Sequence, residues 1–317
     1  GGKKGEGYAV KKSGDATVIM LGFPSVGKST LLNVLTGAKS RVGAYAFTTL
    51  TVIPGLLEYE HAKIQVLDVP GVVHGAASGK GRGREVLAVM RTADLALIIL
   101  DVNHPDHLAA LQKEASDANL RFNARPPNVK ITKKSRGGMD VAATVKLTKV
   151  NMETLKGILE EFRLVNCDVV IREDITAEQF IDAIEGNKHY LPAAVLLNKI
   201  DMVSAEKLTK LTKDLRPDLC ISADQKVGIE ELKELIFQKL DFIRIYTKEV
   251  GKKADLDVPM ILQRGISVEG VCGKLHRDFV QKFRFARIWG KSAKFPGQKQ
   301  MLDHTLEDGD ILEIHLK

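Results

Sequence analysis

The sequence predicts an α/β fold built on a doubly wound sheet. Along most of the chain, apolar runs of strand length alternate with segments of helical periodicity, which is the pattern of strand-helix-strand units. A glycine-rich loop joins the first of these strands to the first helix. The length of 317 residues allows roughly two or three domains with cores of their own.

The alternation begins with a short β-branched run and the helix that follows it. Residues 16–22 predict a buried strand, and the stretch from Gly27 to about Leu35 predicts a helix with leucines on one face. The other elements predicted for this sheet are strands at 51–59, 63–69, 94–101, 193–198 and 219–223 and helices near 84–93, 204–215 and 228–243. They define one sheet-based domain made of residues 16–104 and 190–245.

An inserted α+β domain is predicted at 105–189, because the alternation breaks down there. About 80 residues are far more than the few that usually connect a strand to the next helix. The predicted elements of the insertion are helices near 105–119, 152–163 and 176–185 and an alternating segment at 141–148.

The chain changes character again at Tyr246, where short strands become more frequent. We predict a separate β-rich domain at 246–317. Its predicted elements are a helix near 267–283, strands at 256–263, 284–289 and 311–316, and a turn at 308–310. The glycine- and lysine-rich residues 1–15 are predicted to be flexible.

The composition is that of an ordinary soluble globular protein, with 44% hydrophobic and 27% charged residues. Its apolar runs are too short to cross a bilayer, and no charged-then-apolar leader opens the chain, so we expect a cytoplasmic protein. Cys167, Cys220 and Cys272 are widely spaced and form no CxxC pair. Reduced thiols are therefore expected, rather than disulfides or a zinc site.

Basic charge is concentrated in two windows of the sequence. Residues 121–149 and 272–299 each contain eight lysines and arginines against a single aspartate, although the whole chain carries only +7. Such clustering suits a polyanionic partner such as RNA, but it also fits solvated surface.

The loop after the first strand, GFPSVGKS at 22–29, matches the phosphate-binding pattern G-x-x-x-x-G-K-[ST]. Its amides and the helix N-terminus are suited to a β-phosphate, the Lys28 ammonium to the β/γ oxygens and the Ser29 hydroxyl to Mg²⁺. The residues predicted to form this phosphate site are Gly22, Phe23, Pro24, Ser25, Val26, Gly27, Lys28, Ser29 and Thr30.

Two further motifs complete the predicted phosphate and metal site. Asp68 ends a buried strand and can hold Mg²⁺ through water, while Gly71, three residues on, offers its amide to the γ-phosphate. Thr48 and Thr49 precede the second strand, and a loop threonine there can bind both Mg²⁺ and the γ-phosphate. Thr49 is preferred because it lies nearer that strand. The predicted catalytic groups are Lys28, Thr49 and Gly71.

The predicted base site is Asn198-Lys199-Ile200-Asp201, which follows the strand at 193–198. A carboxylate at Asp201 accepts from guanine N1–H and the exocyclic amine, which adenine cannot supply, so the site selects GTP over ATP. Asn198 is expected to tie this loop to the phosphate loop, and the Lys199 stem to lie along the base. Ser222 and Ala223 are expected to present an amide to guanine O6. The order of these motifs predicts a Mg²⁺-dependent GTPase that binds GTP and GDP.

The motifs GFPSVGKS, AYAFTTLTVIPG, LDVPGVVHGAASGKGRGREVL and NKID resemble those of the Obg-related GTPases. They are most similar to the developmentally regulated GTP-binding proteins of archaea and eukaryotes; NKID argues against the sister ATPase group, in which this motif is altered. The resemblance covers nearly the whole chain. The insertion resembles a domain of a ribosomal small-subunit protein, and 246–317 resembles a TGS domain, a ubiquitin-like β-grasp module.

The resemblance implies a ribosome- or polysome-associated GTPase that acts in translation and has a dedicated protein partner. It also implies a helical segment before the GTPase domain, which this sequence does not contain. Both basic windows fit a ribosome or RNA partner. Most aromatics near the second window, Phe279, Phe283, Phe285 and Phe295, are expected to form the β-grasp core, and Trp289 is the best candidate to stack on RNA bases.

Val72 follows Gly71 at the position where Ras-type enzymes have a glutamine that orients the attacking water. We therefore expect slow intrinsic hydrolysis, raised by K⁺ or by the ribosome. Potassium users of this kind commonly have a phosphate-loop asparagine where this chain has Ser25, so potassium dependence stays open. His74, Arg82 and Arg84 are alternative sources of the missing group.

A rival interpretation is a nucleotide-sensing RNA-binding module in which hydrolysis is incidental. A third interpretation, a GTPase that acts on tRNA modification or on membranes, gets little support because no amphipathic basic helix or lipidation signal is visible. A membrane or DNA partner is not expected.

Overall fold

The computed structural model describes residues 9–10, 14–37, 43–45, 51–69 and 89–317. Up to residue 101 the elements are β1 (Ala9–Val10), β2 (Ala16–Leu21), α1 (Lys28–Thr36), β3 (Gly43–Tyr45), β4 (Thr51–Tyr59), β5 (Ala62–Asp68) and β6 (Leu95–Asp101). From 107 to 191 they are α2 (His107–Asp117), β7 (Leu120–Phe122), β8 (Val129–Lys133), β9 (Met139–Ala143), α3 (Met152–Glu161), β10 (Cys167–Ile171), α4 (Ala177–Glu185) and β11 (His189–Leu191).

The elements from residue 193 onward complete the first sheet and form another. They are β12 (Ala193–Asn198), a 3-10 turn (Ile200–Met202), α5 (Ala205–Leu215), β13 (Leu219–Cys220), α6 (Ile229–Lys239), β14 (Phe242–Thr247), β15 (Met260–Gln263), α7 (Val268–Leu275), α8 (Phe279–Lys282), β16 (Phe283–Trp289), β17 (Gln298–Gln300) and β18 (Ile311–Leu316). Among the described residues, no helix is long and apolar enough to cross a membrane.

An eight-stranded sheet of order β1-β3-β4-β5-β2-β6-β12-β13 positions the predicted site. Its central strands β5, β2, β6 and β12 are parallel, and β2 and β6 are buried at every position, as expected for parallel strands covered on both faces. Parallel strands end at one edge of a sheet, so the residues that follow β2, β5 and β12 lie close together. The fold is the P-loop α/β arrangement that the sequence predicts.

Residues 112–191 form a compact unit of their own. Its three-stranded sheet, of order β8-β10-β9, packs one face into a core shared with α3 and α4 around Leu155, Leu159 and Phe180. The sequence predicted the helices and an alternating segment at 141–148, of which only the first three residues belong to β9, because that strand ends at Ala143. Strands β7, β8, β10 and β11 were missed because each is only three to five residues long.

The C-terminal sheet has five strands in the order β15-β14-β18-β16-β17. The predicted helix at 228–243 is wrong at its end, because α6 stops at Lys239 and Asp241 takes a left-handed φ of 49°. The next six residues form β14, which pairs with β15 and β18. The predicted helix at 267–283 is two helices, since His276 is extended and ends the first of them.

Smaller differences concern the ends of elements. The strand predicted at 219–223 covers only Leu219–Cys220, and the one predicted at 256–263 begins at Met260. The helix near 84–93 falls largely outside the described residues. Ala9–Val10, within the segment predicted to be flexible, pairs with β3. The division into domains stays a prediction.

Candidate functional site

An open cavity of about 510 Å³ lies at the edge where β2, β5 and β12 end. It is lined by Pro24, Ser25, Gly27, Lys28, Ser29, Thr30, Ile53, Asp68, Asn198, Lys199, Ala223 and Asp224. Three motifs that are far apart in sequence therefore share one wall. A larger cavity of about 780 Å³ borders α1 and α6, and of the described residues that line it only Thr30 was predicted for the site.

The phosphate loop has its shape because two of its residues have no side chain. Gly27 has a φ of 97°, and a Cβ built there lies 2.5 Å from Asn198 Nδ2. A Cβ at Gly22 lies 2.7 Å from the Ile99 carbonyl oxygen. Since α1 begins at Lys28, the loop turns directly into a helix N-terminus, where free amides and the helix dipole favour an anion.

Gly27→Ala tests this close fit, with Gly37→Ala as its matched control. Both glycines have a positive φ, but a Cβ at Gly37 meets nothing within 4 Å. We expect both variants to lose about 1–2 kcal/mol of unfolding free energy from backbone strain. Only Gly27→Ala is expected to lose nucleotide binding, because its Cβ displaces Asn198. Equal nucleotide affinity in the two variants, measured by fluorescence titration, contradicts the assignment.

Lys28 is held over the loop by two backbone carbonyls. Its Nζ donates to the carbonyl oxygens of Gly22 at 2.8 Å and Phe23 at 3.0 Å. The side chain is buried, and burial lowers the pKa of Lys28, while the negative charge of Asp68 opposes that shift. Backbone carbonyls hold this ammonium only weakly, compared with a charged partner, so it is available to phosphate oxygens.

Asp68 offers a buried carboxylate oxygen that has no hydrogen-bond partner. The residue is 2% exposed, and its Oδ2 accepts from the Ser29 hydroxyl at 3.1 Å. Its Oδ1 has no partner among the described residues. Burial raises the pKa of Asp68, and Lys28 and Ser29 oppose that shift. A buried orphan oxygen beside a hydroxyl is a donor set that fits a small hard cation such as Mg²⁺.

Asn198 joins the phosphate loop to two other loops. It is 1% exposed; its Nδ2 donates to the Val26 carbonyl at 2.8 Å, and its Oδ1 accepts from the Ala223 amide at 3.0 Å. The structure therefore differs from the expectation that Ala223 presents its amide to a base, because that amide already serves Asn198.

The two charged side chains of the NKxD motif are each oriented by a neighbour. Asp201 Oδ1 accepts from the buried Ser222 hydroxyl at 2.6 Å. Lys199 donates to the Ser25 carbonyl at 2.7 Å and to Asp101 at 2.8 Å. Asp201 and Ser222 do not line the cavity. Each is close in sequence to a residue that does, since Asp201 lies two residues after Lys199 and Ser222 directly precedes Ala223.

Asp101 is a site residue that the sequence reasoning missed. It is the last residue of β6 and is 7% exposed. Burial alone raises its pKa, but hydrogen bonds from Lys199 and the Asn103 amide hold the pKa of Asp101 below its usual value. The available signal was its position at the end of a parallel strand, next to the strand that ends at Asn198.

Several predicted residues cannot be placed. Thr48, Thr49, Gly71 and Val72, together with the alternative groups His74, Arg82 and Arg84, lie outside the described residues. The remaining predicted residues of the phosphate loop, Gly22, Phe23 and Val26, lie between β2 and α1. The Phe23 ring stacks on His107 with 3.9 Å between ring centroids.

A parallel sheet that ends in a glycine loop, a buried lysine and aspartate, and an NKxD loop tied to the first loop define a P-loop GTPase. A family model described as "50S ribosome-binding GTPase" matches residues 17–134, one described as "C-terminal region of MMR_HSR1 domain" matches 136–242, and the TGS domain matches 243–316.

The chain belongs to the family of developmentally regulated GTP-binding proteins. It is 44% identical over 316 residues to developmentally-regulated GTP-binding protein 1 of Xenopus laevis, covering 99% of this chain and 86% of that protein. An uncharacterized GTP-binding protein of Methanocaldococcus jannaschii is 56% identical over 316 residues, covering 98% of this chain and 81% of that protein. The solved structure of the Schizosaccharomyces pombe YchF GTPase aligns with 98% of this chain and 100% of its own, at 15% identity and a TM-score of 0.47.

Proposed function

We propose that the cavity binds GTP with Mg²⁺ and that these residues form the hydrolytic site of a switch acting on the ribosome in translation. The observation that carries the proposal is the convergence of Lys28, Asp68 and Asn198 on one cavity, with Asn198 bonded to the phosphate loop. The base site follows from Asp201, whose carboxylate is aimed by Ser222.

Each group then has a chemical role. Lys28 exchanges its two carbonyl partners for the β- and γ-phosphate oxygens, and the α1 amides bind the β-phosphate. Ser29 and Asp68, with Thr49, would hold Mg²⁺, which would neutralise charge on the phosphate oxygens. We assign the Gly71 amide to the γ-phosphate. Asp201 accepts hydrogen bonds from the N1–H and the amine of guanine, and the Lys199 stem lies along the base. The Ala223 amide exchanges its hydrogen bond to Asn198 for one to guanine O6.

Val72 cannot orient the attacking water as the glutamine of Ras-type enzymes does. We therefore propose that intrinsic hydrolysis is slow and that K⁺, the ribosome or a dedicated protein partner accelerates it in place of the missing glutamine. The ribosome is favoured by the description of the matching family model and by the two basic windows.

Steady-state GTP hydrolysis in KCl and in NaCl, each with and without ribosomes, tests this proposal. We expect turnover in NaCl alone to be slow, comparable to intrinsic rates of about 10⁻⁴ to 10⁻² per second, and to rise with K⁺ or ribosomes. Co-sedimentation with ribosomes in the presence of a GTP analogue is expected to weaken steeply with salt. Fast turnover in NaCl alone contradicts the need for help.

The alternative is a nucleotide-sensing RNA-binding module. The basic windows favour it, because they lie outside the nucleotide cavity. Complementation in a cell that depends on this protein distinguishes the two functions. If the protein is a switch, the Lys28→Ala variant does not support growth. If it is a module that only binds RNA, that variant does support growth.

A further inference from the structure

One face of the C-terminal sheet is exposed at its β16-β17-β18 end. Ala286 and Ile288 of β16 are buried in the domain core, so the alternate residues Phe285, Arg287 and Trp289 lie on the opposite face. Their cross-strand partners in β18 and β17 share that face. The sequence expected Phe285 in the core, but its place in the alternation puts it on the open face.

Three cations lie around the Phe285 ring. The Lys299 ammonium lies 4.3 Å from the ring centroid, and the guanidinium carbons of Arg284 and Arg287 lie 5.7 and 6.0 Å from it. No carboxylate of the described chain forms an ion pair with any of the three. Like charges held this close repel one another, and an anion that binds among them relieves that repulsion.

Glu313 is the carboxylate nearest to them in the sheet, and it is already engaged. It pairs across the strands with Arg287, but its Oε2 accepts from Lys248, and its Oε1 lies 2.7 Å from His315 Nε2. Burial alone raises its pKa, yet these two hydrogen bonds hold the pKa of Glu313 below its usual value. Glu313 therefore stays charged but does not neutralise the cations around Phe285.

The same face carries a preformed pair of stacked rings. Phe285 and His315 are parallel to within 17°, with 4.3 Å between ring centroids. The hydrogen bond to Glu313 fixes the His315 ring. Flat rings held parallel beside positive charge offer both a stacking surface for a nucleobase and contacts for its phosphate.

The other basic window differs, because three of its eight cations form ion pairs with acids from elsewhere in the chain. Arg121 forms a two-point ion pair with Asp182, Arg125 pairs with Glu173, and Lys134 pairs with Asp168. All three acids lie outside residues 121–149. In the window at 272–299 the one aspartate, Asp278, pairs with Lys282, and no acid of the described residues pairs with the cations around Phe285.

We propose that the sheet face formed by Phe285, Arg287, Lys299 and His315, with the exposed Arg284 beside it, binds single-stranded RNA. The inference rests on the proposed ribosomal function and deepens it by naming the surface and the form of the RNA. Cations alone suit any polyanion, whereas the stacked rings favour exposed bases, which double-stranded RNA and acidic proteins do not offer.

The only tryptophan of the chain, Trp289, reports on this face directly. The full chain is titrated with oligouridine of about ten nucleotides, a length that one small domain can cover. We expect Trp289 emission to change on binding. Arg287→Glu/Lys299→Glu is expected to weaken the affinity at least about tenfold and to reduce the salt slope by about 1.4, or about 0.7 for each lost cation.

Lys130→Glu/Lys133→Glu is the matched control, because it makes the same change in charge at two exposed lysines of β8. It is expected to keep the affinity within about twofold, while Phe285→Leu loses about fivefold with an unchanged salt slope. Thermal melts check folding, and the neutral Arg287→Gln/Lys299→Gln serves if the glutamate variant does not fold.

Three results overturn the inference. The first is loss of RNA binding in Lys130→Glu/Lys133→Glu but not in Arg287→Glu/Lys299→Glu. The others are equal affinity for duplex and single-stranded RNA, and competition by polyglutamate that is as effective as competition by RNA. With any of these results the protein can still co-sediment with ribosomes through another surface. The inference can therefore be wrong while the proposed function is right.

Discussion

Lys28→Ala is expected to lower the rate of GTP hydrolysis about a thousandfold, the scale seen when an enzyme loses one preorganised charge-stabilising group. The Lys28 ammonium is buried in the phosphate loop and is held only by two backbone carbonyls. Alanine leaves those carbonyls without their donor and removes the positive charge that we assign to the γ-phosphate oxygens. Phosphate release at saturating GTP measures the loss.

Lys210→Ala is the control for that experiment, because Lys210 is an exposed lysine on α5, away from the cavity. It is expected to keep the wild-type rate. A thermal melt of the Lys28 variant separates a lost phosphate contact from a collapsed loop. If hydrolysis survives Lys28→Ala within about tenfold, the phosphate site is elsewhere.

Asp201→Asn is expected to weaken GTP binding by a hundredfold or more, and to weaken XTP binding far less. The Asp201 carboxylate accepts from Ser222 on one oxygen and has the other available for the N1–H and amine of guanine. An asparagine amide donates where the carboxylate accepted, which suits the C2 carbonyl of xanthine but opposes the amine of guanine. Competition against a fluorescent GDP analogue measures both affinities.

Asp214→Asn provides the comparison, since Asp214 is an exposed aspartate on α5. Its ratio of GTP to XTP affinity is expected to equal that of the wild type. An unchanged ratio in Asp201→Asn places the base somewhere other than the NKxD loop.

The phosphate and base loops could be inferred from the sequence because their motifs are local, and the nucleotide roles assigned to them stay predictions. A sequence of the form G-x-x-x-x-G-K-S between a buried strand and a helix is typical of a phosphate-binding loop. The parallel strands β2, β5, β6 and β12 then bring the distant loops together. The buried, bonded positions of Lys28 and Asn198 agree with that reasoning.

What the sequence could not predict depends on contacts between segments. The acids that pair with Arg121 and Lys134 come from residues 168 and 182, which a count within one window omits. Asp101 enters the site only because β6 and β12 are neighbours. The short strands of the insertion are stabilised by pairing and by burial against α3 and α4, not by a long periodic pattern.

An equilibrium competition titration shows whether this cavity is a guanine-nucleotide site. The full chain, with Mg²⁺ and a fluorescent GDP analogue, is titrated with GTP and with ATP. We expect displacement by GTP at a single site and displacement by ATP only at about a thousandfold higher concentration. Displacement by ATP at the same concentration as GTP would contradict this expectation.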